Sequence, residues 1–300
     1  MNILILGKGY TGTALYTHLN DNHEHAVRIH SKSECNYDDV TSFVTMLQDA
    51  TNKPDLVINA SGYTGRPNVD ACEDDRHNTW YYNVDVPGML GDTCNKHGVK
   101  FIHISSGCIY SGYEKSFDEY DQPNFGLLSD KSSWYSKTKH AGELILNGTD
   151  AHIFRIRMPF CGTTSPRNLM SKLLKYDNVI DQLNSLTCIE DFCAFVEKYI
   201  ETKIQSGHPG AVYNVVNPQP VKTSEIIEVM KLHGLINPNW KKIELDELLN
   251  KYTKVDRSNC VLSTQTIDKY NLSLPNTIVS LDTCARKMSR EHFTKISKQG

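Results

Sequence analysis

No stretch of this 300-residue chain stays apolar long enough to cross a bilayer. The start, "MNILILGKG", reaches glycine too soon for a signal peptide. A cytoplasmic protein with no membrane partner is the expectation. No lysine/arginine block occurs, and 32 basic against 35 acidic residues leave a net charge of -3. The chain therefore lacks the electrostatic footprint of a nucleic-acid binder. No CxxC is present, and the nine cysteines are odd in number and scattered. That excludes a disulfide framework and points to thiols in a reducing compartment. Cys188 and Cys193 stand near each other in sequence with no histidine close by, so no metal site is expected. Internal repeats and low-complexity tracts are also missing.

What is present is a regular alternation. An apolar content of 39% and a charged content of 22% fit a globular chain, long enough for one large domain or two intimate ones. Ile3 to Leu6 reads as a buried strand, and Ala14, Leu15 and Leu19 then recur at helical spacing. "HAVRI", "PDLVINAS" and "VKFIHISS" are further strands. Between them lie the helix "VTSFVTMLQDA" and a single long helix, "WYYNVDVPGMLGDTCNKHG", ending at Gly98. Alternating strands and helices predict a mostly parallel sheet covered on both faces. The pattern loosens after Pro159: "PFCGTTSPRN" is rich in turn formers, "LMSKLLKY" resumes a helix, and "AVYNVVN" is one more strand. "TSEIIEVMKLHG" has a start cap at Thr223 or Ser224 and a glycine stop. The expected division is residues 1–160 as a nucleotide-binding domain and 161–300 as mainly a smaller C-terminal lobe over the sheet's carboxyl edge. Residues near 182–218 are expected to return to the first domain.

Gly7, Gly9 and Gly12 form a GxGxxG between the first strand and the first helix. That context makes it a dinucleotide fingerprint and the fold a Rossmann-type, doubly wound α/β sheet. Gly7 allows the tight turn, Gly9 lets the backbone approach a pyrophosphate, and Gly12 permits close helix packing. Tyr10 and Thr11 complete the turn, where the helix N-terminus offers N–H donors to phosphate. The second strand ends "RIHSKSE", with no acid directly after it to take a ribose 2′-hydroxyl. Arg28, His30, Ser31 and Lys32 favour a 2′-phosphate, hence NADPH over NADH, unless Glu34 loops back. Asp38 or Asp39 is expected near the adenine, and Asn59 and Ala60 along the pyrophosphate and nicotinamide ribose.

In "WYSKTKHAGE", Tyr135 and Lys139 stand four apart, on one face of a helix. A lysine cation there lowers a phenol's pKa and holds the cofactor ribose. The phenol can then protonate a carbonyl oxygen as hydride reaches its carbon. Ser106, after the fourth strand, can donate a second hydrogen bond to that oxygen.

This arrangement resembles the extended short-chain dehydrogenase/reductases, and among them the sugar-nucleotide enzymes that make NDP-L-rhamnose. "GYTGRPNVDACE" (62–73), "SSGCIY", "YSKTK", "RIRMP" (155–159), "SPRNLMSKLLKY" (165–176) and "VYNVVNP" (212–218) look like the bifunctional 3,5-epimerase/4-reductases, in the right order over the whole chain. One departure is the turn, which is a residue shorter than the family's usual GxxGxxG. The resemblance implies a UDP- or dTDP-linked 4-keto-6-deoxy-D-glucose as substrate. Cys108, two residues past Ser106, is either a thiol packed at the strand's end or a tunable acid or base beside the same carbonyl. The resemblance implies that it is an epimerising base or acid paired with Lys172, with Lys175 the nearby competitor. A related fucose-forming enzyme pairs cysteine with histidine, but residues 160–180 contain none. Arg66, Asn68, Arg167 and Asn168 are candidates for substrate contacts, and Arg257 for a bidentate clamp on the pyrophosphate. Trp134 is expected to pack on the sugar or cap the helix. A homodimer is the assembly considered. The competing readings are a 4-keto reductase without epimerase activity and a non-catalytic Rossmann-type subunit.

Overall fold

Alternate residues of the first strand, β1 (Asn2–Leu6), go to opposite faces, and both faces are buried. Ile3 and Ile5 enter one core, while Leu4 and Leu6 enter another. Only a strand in the middle of a two-sided sheet needs such a run. The computed structural model describes residues 1–296 and places β1 between β2 (Ala26–His30) and β3 (Leu56–Asn59). β4 (Lys100–Ser106), β6 (Ala151–Ile156) and β9 (Val212–Asn214) extend the sheet on the β3 side, in the order β2-β1-β3-β4-β6-β9. Every pairing in it is parallel. The order reverses at β1, which opens a crevice at the strands' carboxyl ends.

On one face lie α1 (Tyr10–Asp21) and α8 (Ile189–Tyr199), with Leu15, Leu19, Phe192 and Val196 against Ile5, Ile58 and Phe154. On the other lie α2 (Val40–Gln48) and α5 (Val86–Lys96), through Phe43, Leu47, Leu90 and Cys94. Each fully buried aliphatic or aromatic side chain contributes roughly 1.5–3 kcal/mol.

The expected long helix before Gly98 is interrupted by a π turn and preceded by two short helices. α3 (Ala71–Asp74) comes first, then α4 (Arg76–Trp80), a π turn over Tyr81–Asp85, and α5. Pro87 has no N–H for the carbonyl of Asn83, four residues back, and Val86 N bonds to Tyr81 O instead, widening the turn.

After β6 the chain builds a second core. α7 (Leu169–Leu173), α9 (Thr223–Leu232) and α12 (Thr277–Ile296) contribute Met170, Leu173, Ile226, Met230, Leu281 and Ala285. Four other short strands make two pairs: β7 (Asn178–Ile180) with β11 (Lys241–Ile243), and β8 (Leu183–Asn184) with β10 (Val221–Lys222). β5 (Gly112–Phe117), which the sequence did not suggest, pairs with β12 (Cys260–Leu262). Two further helices, α10 (Leu245–Lys251) and α11 (Gln265–Lys269), complete the chain, and Ile267 of α11 packs into the first core. The cap of α9 is Lys222, not Thr223 or Ser224, because Glu225 reaches back to accept from Lys222 N at 2.8 Å.

Between α8 and α12, Cys188, Glu190 and Cys284 bring two sulfurs and a carboxylate oxygen within 4.8 Å of one another. No spacing in the sequence pointed to this group, since Cys188 and Cys284 are 96 residues apart. The hydrogen bond with Cys284, then burial, pushes the Cys188 thiol up.

Candidate active site

The turn after β1 is tight because Gly7 adopts φ +106°, and a side chain there would sit 2.8 Å from Ser61 N. A side chain on Gly12 would come 2.0 Å from Gly7 O, so α1 can approach the turn only as glycine. Gly9 caps α1 in extended conformation, and a Cβ on it would meet nothing within 4 Å. An open glycine face at the N-terminus of a 12-residue helix fits a dinucleotide's diphosphate. Tyr10 and Thr11 lie in the first turn of that helix, where backbone N–H groups are free. The Tyr10 ring turns into the first core, and burial followed by Cys161 pushes its phenol up. Tyr10 is thus left with only its backbone N–H for a ligand.

Asn59, expected along the pyrophosphate, is fully buried. Its Oδ1 accepts from Ser61 N at 3.0 Å and Ser61 Oγ at 2.6 Å, and its Nδ2 meets His103 Nδ1 at 3.1 Å. It braces the wall of the crevice. Ala60 holds the next position through N to Leu6 O at 2.9 Å.

At the end of β2, Glu34 does loop back. Its carboxylate accepts from Ser31 N at 2.9 Å and Ser31 Oγ at 3.0 Å, and it ion-pairs with Lys8 at 2.5 Å. Lys8, then Ser31, holds the Glu34 carboxyl down to about 2. These donors gather on an anion where the sequence predicted a 2′-phosphate. Lys32 meets Asp38 at 2.7 Å and also reaches the Tyr82 hydroxyl, so its charge is partnered. Asp39 is committed as the cap of α2, accepting from Ser42 N at 2.8 Å. Arg28 is a correction. Its guanidinium donates to Asn52 O, in the loop that precedes β3.

Ser133 caps α6 (Trp134–Ile145) through Ser136 N at 3.1 Å, which sets Tyr135 and Lys139 one turn apart facing β4. The Tyr135 phenol lies beside Ser106, and Lys139 Nζ donates to Ile104 O at 3.3 Å. Burial lowers Lys139 to about 8, against the pull of Glu143 and Cys108. Burial, then Cys108, pushes Tyr135 up. Ser106, then Arg167, opposes that rise.

Two buried devices hold this set in place. Glu143 of α6 pairs with Arg155 of β6 at 2.7 Å and accepts from Ser105 of β4 at 2.5 Å. Asn83, in the π turn, accepts from Tyr63 N at 2.8 Å and donates to Thr138 Oγ1 at 3.1 Å, tying the loop after β3 to α6. Neither had a sequence signal beyond residue type.

Cys108 is half-buried, and its N–H donates to Ser106 Oγ at 3.2 Å. Lys172 of α7 is half-buried too. Burial, then Arg167, lowers it, and Cys108 opposes that shift, so the lysine and the thiol feel each other's charge. Lys175 is exposed one turn on. A residue that sequence reasoning missed lies against the thiol: Arg157 Nη1 stands 3.6 Å from Cys108 Sγ.

Of the substrate-side candidates, Arg167 reaches across to Gly65 O at 2.8 Å, while Arg66 and Asn68 are exposed in the loop after β3. Arg257 ion-pairs with Asp70 at 2.7 Å. Trp134 donates from its indole to Arg76 O at 3.0 Å and lies 6.0 Å from the Trp80 ring. Asn168 is a correction. It is fully buried, caps α7 through Met170 N at 3.0 Å, and donates to Cys161 O and Thr163 O at 2.8 and 2.7 Å. No part of it is left for a sugar.

A parallel sheet with a glycine turn at its switch point, and serine, tyrosine and lysine at the ends of β4 and α6, is the build of an extended short-chain dehydrogenase/reductase. Within that class the chain belongs to the RmlD substrate binding domain family, which matches residues 1–267. It is 35% identical over 206 residues to the bifunctional dTDP-4-dehydrorhamnose 3,5-epimerase/dTDP-4-dehydrorhamnose reductase of Arabidopsis thaliana, covering 65% of this chain and 64% of that protein. A trifunctional rhamnose enzyme of the same plant, RHM1, is 33% identical over 68% of this chain and 30% of its own length. The chain thus spans less than two thirds of these curated relatives. Along nearly the full length, it is similar to the crystal structure of the L780 UDP-rhamnose synthase from Acanthamoeba polyphaga mimivirus. The TM-score there is 0.83 at 24% identity, over 95% of this chain and 99% of that one. The dTDP-4-dehydrorhamnose reductase of Bacillus anthracis, solved in complex with NADP, superposes with a TM-score of 0.79 at 18% identity, over 96% and 98% of the two chains.

Proposed function

We propose that this chain epimerises C3 and C5 of a UDP- or dTDP-linked 4-keto-6-deoxy-D-glucose and then reduces the C4 ketone with NADPH, giving NDP-L-rhamnose. The reading rests on one arrangement: Cys108, held at Ser106 beside the charge of Lys172, shares its site with Tyr135 and Lys139. We take residues 1–160 with 182–218 as the nucleotide-binding domain and the remainder as the sugar lobe.

The protons next to a ketone are acidic because the enolate places its charge on oxygen. Cys108 as thiolate takes the proton from carbon, and the electron pair moves to the C4 oxygen, where the Ser106 and Tyr135 hydroxyls donate to it. Lys172 as ammonium returns a proton to the opposite face, which inverts the carbon. Burial of Lys172 makes that proton easier to give. Exchange with solvent resets both groups for the second carbon. A reduced nicotinamide dinucleotide, when bound, supplies hydride to C4. Gly7, Gly9 and the α1 N-terminus would hold its diphosphate and Lys139 its ribose, while Tyr135 gives the C4 oxygen its proton. Glu34 has looped back onto Lys8 and Ser31 at the end of β2, so use of the phosphorylated cofactor requires its 2′-phosphate to displace that carboxylate from these donors.

The test is deuterium wash-in from D2O, followed by NMR alongside NADPH oxidation. Cys108→Ser and Lys172→Ala should lose exchange at C3, C5 or both yet still reduce NDP-4-keto-L-rhamnose. Tyr135→Phe should lose reduction by about 10²–10⁴-fold. Full exchange in C108S would show that Cys108 is not the epimerising base, and no exchange in the wild-type protein would leave a reductase alone.

A further inference from the structure

Two arginines lie two residues apart at the end of β6, and their surroundings differ. Arg155 is buried against a carboxylate, Glu143, through paired hydrogen bonds. Arg157 is buried as deeply, at 1% exposure, yet none of its hydrogen-bond partners among the described residues is a carboxylate. Nη1 donates to Ser258 Oγ at 2.9 Å, and Nη2 to Ser258 O at 2.7 Å and to Asn184 Oδ1. Its Nε is buried without a partner. A guanidinium out of water costs several kcal/mol unless an anion balances it. Its remaining side-chain hydrogen-bond contact among the described residues is Cys108 Sγ, 3.6 Å from Nη1.

We propose that Arg157 is the positioning residue of the epimerising half: its guanidinium aims the Cys108 sulfur at the substrate and balances the negative charge that the sulfur carries as a base. This rests on the reading of Cys108 as that base. When the sulfur holds a proton, Arg157 stands without a counter-charge. When the sulfur has given it up, the pair is neutral, and the site is built for that state.

The other titratable groups that feel the thiol are Tyr135 and Lys139 on α6, Lys172 on α7 and Cys260 on β12. Arg157 differs from both lysines in that it touches the sulfur and cannot lose its own charge near neutrality. Its three partners come from β8 and from the segment entering β12, so it also joins the second lobe's strands to the end of β4.

The test uses the whole protein and two readouts. The first is the rate at which iodoacetamide alkylates Cys108 at fixed neutral pH, followed on the Cys108 peptide by mass spectrometry. Arg157→Gln should slow it about tenfold, and Arg157→Lys should bring it back to within about threefold of wild type. The second is the split between reactions: R157Q should lose deuterium exchange by a similar factor while reduction of already epimerised keto sugar stays within about twofold. A variant that merely loosens the fold would lower both together. R157Q alkylated at the wild-type rate, or exchange and reduction falling in step, overturns the proposal. Should R157Q not fold, Asn184→Asp sets a carboxylate against Nη2 at equal volume and is expected to slow alkylation as well; a wild-type rate in N184D overturns it. If the wild-type protein exchanges no deuterium, the epimerase reading fails. The alkylation series still decides whether Arg157 acts on the sulfur.

Discussion

The carboxylate of Glu34 occupies Ser31 N–H, Ser31 Oγ and Lys8, donors that a ribose 2′-phosphate would otherwise take. It also sets a negative charge where that phosphate would arrive. Glu34→Gln should therefore raise kcat/KM for NADPH about 3–10-fold and leave or lower that for NADH. Steady-state kinetics with both cofactors checks it, and an unchanged ratio would place the 2′-position elsewhere. Lys139 carries a pH signature. Burial holds it at about 8 in the fold against an ordinary 10.5. Below pH 8 it is charged in both folded and unfolded chains, and the buried charge costs stability. Between 8 and 10.5 the folded lysine is neutral while the unfolded one is still protonated, so the cost fades as pH rises. Lys139→Met should accordingly be more stable than wild type near pH 7, by on the order of 1–3 kcal/mol, with the gap closing toward pH 10.5. Urea midpoints at both ends of that range would show it. A constant gap would mean the lysine is hydrated.

At the scale of elements, α6 and the π turn share one tight contact. A Cβ on Gly142 would lie 2.2 Å from Asn83 O, the carbonyl released by Pro87. Backbone on both sides leaves no flexible side chain to move aside. Gly142→Ala should cost about 1–3 kcal/mol in urea unfolding. Because the same helix carries Tyr135 and Lys139, it should also lower reduction. Full activity with wild-type stability would show that α6 can shift freely. The contact explains why Asn83 matters although no motif contains it: its side chain and its carbonyl each fasten a different neighbour of the site.

Across the whole molecule, the segment before β12 is tied to α3 and the residue preceding it. Arg257 pairs with Asp70 and Lys254 with Asp74, at 2.7 and 2.5 Å. Arg167 bridges to Gly65 O from the loop after β6. These links run over the carboxyl edge, where a nucleotide sugar would lie, and an acidic partner already holds the arginine expected to clamp its diphosphate. Asp70→Asn should free Arg257 and lower KM for the keto sugar about 2–5-fold with kcat little changed. A higher KM in D70N would mean that the pair serves to order the segment rather than to compete with substrate.

The first four strands of the main sheet, the glycine turn and the Tyr135/Lys139 face were legible in the sequence, because each depends on residues close together; β6, between β4 and β9, was not read. Short unbroken apolar runs mark β1 and β3, φ and close packing demand Gly7 and Gly12, and one helical turn aligns the tyrosine with the lysine. The strand at 212–214 was also readable, and its return to the first sheet was foreseen from its apolar run. What only the tertiary structure decided lies where distant segments meet. Arg28 and Asn168 have the right chemistry for ligands, but the carbonyl of Asn52 and the cap of α7 hold them elsewhere. Glu34 reaches the phosphate donors only because its loop folds back. Arg157 was only one residue of the "RIRMP" stretch until Ser258, Asn184 and Cys108 surrounded it. Local steric and hydrogen-bonding preferences act within a few residues, so sequence alone carries them. Charge balance and burial act through space, and they exist only once the chain has closed on itself.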